Sequence, residues 1–278
     1  MSAGKPCTAI AVFILIYLKE VIYIHSRIQI IGRSADRDVV CKSAYNSRSN
    51  EKNHNTGITH YHRSKGRLIY EEILIPPDSP DWLKELAKDR GYFWSAVDKR
   101  EGRCDSQLAR EINIPLLHEL SDQQNIELFK TFVQQNFVEK GMVADIAIHR
   151  APKDGDPRNV HGHATLSMRE ITPDGFGNKD RSWNDQKLAR QWRKSYCNLG
   201  NLYLVRNGFE PRLDHRSFAE RNIDKEPTRY QGRSYRKSKQ KGKERNVQKG
   251  PINVMETLRE ILQENDQDRE NDNFENER

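Results

Sequence analysis

The clearest alternation of polar and apolar residues in the chain is the run HGHATLSMR at 161–169. Side chains two positions apart on a β-strand point to the same face of the sheet. His161, His163 and Thr165 therefore share one face, and the small or apolar residues between them share the other. The pattern predicts a strand with an apolar core face and an open, polar face that carries two histidines.

A second strand of the same kind is predicted from the run MVADIAIH at 142–149, with Asp145 and His149 on its polar face. A turn-rich loop joins the two strands, and strands joined in this way usually pair as an antiparallel hairpin. This pairing would place His149 beside His161 and His163.

The sequence predicts further strands and helices. The run LAREINI at 108–114 predicts a strand with Glu111 on its polar face, and YEEILIP at 70–76 predicts another. Apolar residues at helical spacing predict helices over 121–141, with Ser121 and Gln124 as a capping box, and over 184–208. A third helix is predicted to begin at Ser79 as its N-cap, before a proline in the first turn.

The composition narrows the function classes. The formal net charge of +7 and a sequence pI of about 9.1 favour a polyanionic partner. The four cysteines are scattered without a CxxC pair, which argues against a disulfide framework and against a cysteine metal site. We therefore expect a protein of the reducing cytoplasm.

The two ends of the chain differ from its middle. The apolar run at 8–18 is too short to span a bilayer and has no signal-peptide flanks, so it predicts a buried strand or an upstream extension and no membrane insertion. Residues 229–249 carry nine Lys or Arg against one acid, and an acidic tail follows. The basic run is either a solvated linker or a phosphate contact, and both interpretations stay open.

Three imidazoles from two neighbouring strands make a divalent-metal site with open positions. The alternative is that His161 and His163 are simply two exposed histidines. His149 lies at the end of a strand with the same alternation of polar and apolar residues, and this third histidine favours the metal-site interpretation. Glu111 is then a metal ligand, a group that orients a ligand histidine, or the ion-pair partner of an arginine.

A histidine-bound cation polarises a phosphoryl oxygen, and a side-chain nucleophile would turn the reaction into covalent strand transfer. The run CKSAYNSRS at 41–49 offers Tyr45 in a predicted helix, with Lys42 and Arg48 three residues away on either side. Taken alone, Tyr45 is as well explained as a structural tyrosine, because the chain has ten tyrosines in all.

The order of these motifs resembles that of relaxases of the MobA/MobL type, over roughly three quarters of the chain. The motifs that carry the resemblance are KSAYNSRS, QLAREINIPL, GMVADIAIH, the paired HGH strand, Trp183–Asn184 and LDHRSFAERNIDKEPT.

The resemblance implies an HUH endonuclease, an α+β palm with a central antiparallel β-sheet flanked by helices. Such an enzyme nicks one DNA strand at an origin of transfer and later rejoins it. Tyr45 would attack the scissile phosphate, leaving a 3′-hydroxyl and a 5′-phosphotyrosyl link. His149, His161 and His163 would hold Mg²⁺ or Mn²⁺, with Zn²⁺ or Ni²⁺ as alternatives, and Glu111 would be a further ligand or a proton acceptor.

The same resemblance implies a division into an extension (1–20), the relaxase domain (21–228) and the basic and acidic tail (229–278). The implied partners are single-stranded or hairpin DNA at the origin of transfer, together with accessory relaxosome and coupling proteins. The residues expected to contact DNA are Lys42, Arg48, Arg216, Arg233, Arg236 and Lys237.

Two alternatives remain. A rolling-circle replication initiator uses the same chemistry but places its tyrosine after the histidine pair, whereas Tyr45 precedes it. A non-catalytic DNA-binding remnant is suggested by the basic tail and by Gly162, because the family usually has a larger residue between the paired histidines. Glycine loosens a strand, so we expect Gly162 to weaken the ligand geometry.

Overall fold

The structure is a computed structural model that describes residues 22–23, 26–33, 38–62, 68–150 and 156–224. The chain divides into two compact units, one of residues 24–209 and one of residues 1–23 with 210–278. The predicted extension and tail lie outside the described residues, so the proposed domain boundaries stay predictions. In the described ranges, no helix is both long and apolar enough to cross a membrane.

Short and long strands alternate with helices along the chain. The strands are β1 (Ile22–Tyr23), β2 (Arg27–Gly32), β3 (Glu51–Lys52), β4 (Thr59–His60), β5 (Leu68–Leu74), β6 (Gln107–Pro115), β7 (Ala144–Arg150), β8 (Val160–Leu166), β9 (Arg169–Thr172), β10 (Gly175–Lys179) and β11 (Leu213–Asp214). The helices are α1 (Val39–Ser47), α2 (Asp81–Leu86), α3 (Arg90–Arg100), α4 (Asp122–Val133) and α5 (Leu188–Arg206). A π-helical turn over Gln134–Val138 continues α4.

Five strands form one antiparallel sheet in the order β2-β6-β8-β7-β5. The predicted hairpin is confirmed, because β7 pairs with β8 and His149 lies opposite His161. On the other side of β8, Glu111 of β6 lies opposite Thr165. The strand alternation predicted from the sequence therefore places the three histidines, Asp145 and Glu111 on one face, which we call the site face. The predicted α+β class with a central antiparallel sheet is confirmed.

The opposite face packs on α4 and α5. Phe129 and Phe132 of α4 and Tyr196 of α5 are fully buried there, and the Tyr196 hydroxyl donates to the Pro115 carbonyl at 2.8 Å. The capping box predicted at Ser121 and Gln124 is present. Burial of these aromatic rings against the strands contributes apolar contact on this side of the sheet.

Two predictions about exposure and capping are wrong. The site face is not open, because α1 lies over it and buries His163 and Thr165 to 6% and 1% exposure. Ser79 does not cap α2: its hydroxyl donates to the Pro76 carbonyl at 2.5 Å, and Pro80 takes the N-cap position without a side-chain hydrogen bond.

Candidate metal and nucleophile site

Three histidines meet on the site face near the end of the β7–β8 hairpin. The ring centroids of His149, His161 and His163 are 5.0–5.4 Å apart. One ligand nitrogen from each ring lies within 4.8 Å of the others. The predicted convergence of the three imidazoles therefore occurs, and the spacing suits one shared cation.

The hydrogen bonds around the rings test whether a metal fits. Nε2 of His149 is bonded to the backbone carbonyl of Asn46, and Nδ1 of His163 lies 3.0 Å from Oε1 of Glu111. Nδ1 of His161 is buried and has no hydrogen-bond partner in the described part of the chain. Metal-binding histidines typically donate their second nitrogen to a carbonyl or carboxylate. The site fits a cation, since Nδ1 of His149 and Nε2 of His163 remain available as ligand atoms.

The surroundings keep two of these rings neutral. Burial, together with the neighbouring His163, lowers the pKa of His149 to about 3 and that of His161 to about 4. Neutral imidazole is the form that binds a metal ion. At neutral pH the cluster is therefore ready to ligate a cation without first losing protons from His149 or His161.

Glu111 is a buried carboxylate beside the cluster, and four side chains donate to it. Lys42 lies 2.8 Å from Oε1, Asn46 and His163 lie 3.0 Å from the same oxygen, and Gln29 of β2 bonds to Oε2. Burial on its own would raise the pKa of Glu111, but the bond from His163 and the charge of Lys42 outweigh it and lower this pKa to about 2. Glu111 is therefore ionised at neutral pH.

Helix α1 brings the remaining groups to the site. Asp38 caps it by accepting from the Val40 and Cys41 amides, which fixes where the helix begins. Lys42 and Asn46, one turn apart, reach down to Glu111. Sequence analysis missed Asn46, although its spacing of four from Lys42 marks it as a residue on the same side of the helix.

Tyr45 lies on α1 with 46% of its surface exposed. The Arg48 guanidinium lies 4.5 Å from the centroid of its ring, and the Lys42 ammonium lies 5.3 Å from it. His62 contacts the ring edge-on, with centroids 5.5 Å apart. The Arg48 charge also lowers the pKa of His149 and of His161, so this cation acts on the histidine cluster as well as contacting the tyrosine ring.

The residues expected to contact DNA are spread over the chain. Lys42 and Arg48 flank Tyr45, as described. Arg216 belongs to the other unit, where its guanidinium pairs with Asp214 at 3.0 Å. Arg233, Arg236 and Lys237 lie outside the described residues.

The expected effect of Gly162 on ligand geometry needs correction. Gly162 faces away from the histidines, towards the ring of Phe129 in α4. A Cβ atom at this position would lie 2.7–2.9 Å from three carbons of that ring, closer than packed atoms approach. The glycine therefore admits an aromatic ring on the core face and is not a defect on the site face.

Comparison with known proteins places this chain in a family. The profile of the MobA/MobL family matches residues 37–241, about three quarters of the sequence. This chain belongs to the MobA/MobL family. The resemblance drawn from the ordered motifs is thereby confirmed.

Two relatives illustrate the match. The probable conjugal transfer protein TraA of Sinorhizobium fredii is 32% identical over 235 residues, covering 75% of this chain and 21% of that protein. The mobilization protein MobL of Acidithiobacillus ferridurans is 30% identical over 233 residues, covering 73% of this chain and 60% of that protein. The chain thus spans about a fifth of the length of the TraA relative.

A solved structure described as "Molecular Basis of Vancomycin Resistance Transfer in Staphylococcus aureus" is also similar. It has 30% identity and a TM-score of 0.63, covering 70% of this chain and all of that one. The likeness shows that this chain shares its fold with that protein.

Proposed function

We propose that this chain is a plasmid mobilisation relaxase, which nicks one DNA strand at an origin of transfer and later rejoins it. The observation that carries the proposal is the attachment of the Tyr45 helix to the histidine cluster. The residue after Tyr45 bonds to His149 through its backbone and to Glu111 through its side chain. This attachment supports a single site that contains the exposed Tyr45 phenol and the three imidazoles.

The relatives support this assignment. The TraA and MobL relatives are named conjugal transfer and mobilization proteins, and this chain matches a portion of each. The proposed substrate is single-stranded or hairpin DNA at the origin of transfer, and the proposed place of action is the cytoplasm. Accessory relaxosome and coupling proteins are proposed partners.

His149, His161 and His163 would hold a divalent cation, for which we propose Mg²⁺ or Mn²⁺, with Zn²⁺ or Ni²⁺ as histidine-compatible alternatives. When bound, such an ion polarises a phosphoryl oxygen and offsets the charge that develops on it. The protein's own contribution is to keep His149 and His161 neutral and to fix the His163 ring through Glu111.

Tyr45 is the proposed nucleophile. Its hydroxyl oxygen would form a bond to the scissile phosphorus while the bond from phosphorus to the 3′-oxygen breaks. The phenol loses its proton and the 3′-oxygen gains one, leaving a 3′-hydroxyl and a 5′-phosphotyrosyl ester. Arg48 and Lys42 hold the ring from its face, and both are placed to attract the incoming phosphate.

For Glu111 we propose an orienting role. A carboxylate with a pKa of about 2 is a weak proton acceptor, and its oxygens already accept from four donors. These contacts suit a group that fixes the tautomer and the ring plane of His163. We favour this orienting role for Glu111 over acceptance of the Tyr45 proton.

The geometry also bears on the alternatives. Gly162, one of the two features that suggested a non-catalytic remnant, is explained by its contact with Phe129. The position of Tyr45 before the histidine pair favours a relaxase over a replication initiator.

The test is the covalent intermediate. Labelled single-stranded oligonucleotides that tile the DNA beside the gene are incubated with the protein and Mn²⁺, then separated under denaturing conditions. We expect a covalent protein–DNA band that Tyr45→Phe abolishes. Tyr61→Phe is the matched control, because Tyr61 is 70% exposed and close in sequence, and it should leave the band unchanged. The absence of a band with every divalent ion tried would refute the proposal.

A further inference from the structure

A second buried carboxylate on the site face lies away from the histidine cluster. Asp145 is four residues before His149 on β7, about 13 Å along an extended strand. It is 5% exposed, in a strand whose other buried positions are mostly apolar. Burying an ionised carboxylate is costly unless several donors satisfy it. The hydrogen-bond donors of Asp145 therefore indicate why a carboxylate is buried there.

The donors to Asp145 come from two helices. Trp94 of α3 donates its indole N–H at 2.8 Å, and Arg90 of α3 places Nε 3.0 Å from Oδ1 and 3.1 Å from Oδ2. Ser43 of α1 donates its hydroxyl at 2.5 Å. Arg90 pairs with Asp145 and also with Glu71 of β5, whereas the Ser43 hydroxyl carries no charge. Its hydrogen bond instead joins α1 to β7.

Helix α1 is thus attached to the sheet at two separate points. Ser43 bonds to Asp145, and Asn46 bonds to Glu111 and to His149. The two residues are three positions apart, about 4.5 Å along the helix axis. Lys42 also bonds to Glu111, so the bond from Ser43 adds a second point of attachment, at Asp145, that opposes rotation of α1 about the first. Tyr45 lies between them in sequence.

We propose that Ser43 and Asp145 are positioning residues that hold α1 in the register at which Tyr45 reaches the scissile phosphate. The expected effect on nicking rests on the proposed function. The expected effect on the position of α1 rests only on the contacts of this helix. Neither residue needs to touch the DNA. Both act through the backbone of α1.

The test compares Ser43→Ala with Ser47→Ala. Ser47 is also buried on α1, but its hydroxyl bonds to the Ser43 carbonyl at 2.9 Å and to Ser49 at 2.5 Å, not to the sheet. We expect Ser43→Ala to slow single-turnover adduct formation by about 10- to 100-fold, which is the range expected for a slightly misplaced nucleophile. The KM for the oligonucleotide should stay within about twofold of the parent value. Ser47→Ala should leave the rate within about threefold of the parent protein, because it removes no bond to the sheet.

Hydrogen exchange gives a readout that does not depend on nicking. Ser43→Ala should accelerate exchange in the α1 peptide by about tenfold relative to the β8 peptide, and Ser47→Ala should not. Ser43→Cys keeps nearly the same volume with a much weaker donor, so it should behave like Ser43→Ala if the hydrogen bond matters rather than the packing.

The outcomes separate the two proposals. If Ser43→Ala matches Ser47→Ala in both rate and exchange, the positioning role is overturned. If Ser43→Ala loosens α1 but adduct forms at the parent rate, the link to nicking is overturned. If the parent protein forms no adduct, the proposed function fails, and the exchange comparison alone then decides whether Ser43 anchors α1.

Discussion

The backbone carbonyl of Asn46 accepts a hydrogen bond from Nε2 of His149. The chain segment that presents Tyr45 is therefore bonded directly to one of the three clustered histidines. Orienting His149 for a cation also orients the last turn of α1. In the proposed mechanism, cation binding by His149 and the placement of Tyr45 are therefore coupled through one hydrogen bond.

Glu111→Gln should weaken binding of Mn²⁺ by about 10- to 100-fold, as loss of a partner that orients a ligand usually does. An amide oxygen is a poorer acceptor for the His163 N–H, and the partly buried Lys42 ammonium loses its counter-charge. Isothermal titration calorimetry with Mn²⁺ measures the effect.

Glu101→Gln is the matched control for that experiment. Glu101 is also a buried carboxylate, but it pairs with Arg169 at 2.7 Å and Lys179 at 3.0 Å, away from the histidines. It should lower stability and leave Mn²⁺ affinity unchanged. Equal losses of affinity in both variants would count against an orienting role for Glu111.

Metal-free protein should lose stability as the pH falls from about 7 towards 4. The pKa values of His149 and His161 are about 3 and about 4 in the fold, below the ordinary value of 6.5. At a pH between the folded and the ordinary pKa of each histidine, the unfolded chain binds a proton that the folded chain does not. The free energy of unfolding therefore decreases as the pH decreases, by about 1.4 kcal/mol per pH unit for each such proton. Glu111, whose pKa of about 2 lies below its ordinary 4.5, adds to the loss below about pH 4.5.

Urea unfolding in the presence of a chelator, at a series of pH values, checks this expectation. The double variant His149→Asn/His161→Asn removes both imidazoles and should flatten the dependence between pH 6.5 and 5. A parent protein whose free energy of unfolding is constant over that interval would show that these rings are not held neutral by the fold.

Gly162→Ala should destabilise the protein by about 1–3 kcal/mol, because the new methyl group overlaps the Phe129 ring. In a Phe129→Ala background the same substitution should cost much less. Urea unfolding of the four proteins in this cycle gives the coupling between the two positions. A cost that is equal in both backgrounds would show that the glycine is needed for some other reason.

Much of the sheet was predictable because strand alternation is a local property of the sequence. His149, His161, His163 and Glu111 fall on one face by parity alone, and the loop between 149 and 161 suits the hairpin that brings them together. The start of α4 was also predictable, since the capping residues act within one turn, whereas its change to a π-helical turn after Val133 was not.

The contacts of α1 were not predictable in the same way. They join Ser43 to Asp145, 102 residues further along the chain, and Asn46 to His149, 103 residues further along. Nothing local in the sequence sets which side of a short helix meets the sheet. For the same reason, a polar face predicted to be open is covered. Asp145, an acidic residue inside the mostly apolar strand ADIAIHR, was the available sign that hydrogen-bond donors pack against this face of the sheet.

Peptide mapping of the covalent protein–DNA product tests the central claim most directly. After adduct formation with Mn²⁺, nuclease trimming and proteolysis, mass spectrometry identifies the modified side chain. The proposed chemistry predicts a nucleotide 5′-phosphate on Tyr45, and no product in His161→Ala unless a high metal concentration restores it. A nucleotide attached to Tyr61 or to any other residue, with Tyr45 unmodified, would contradict the account.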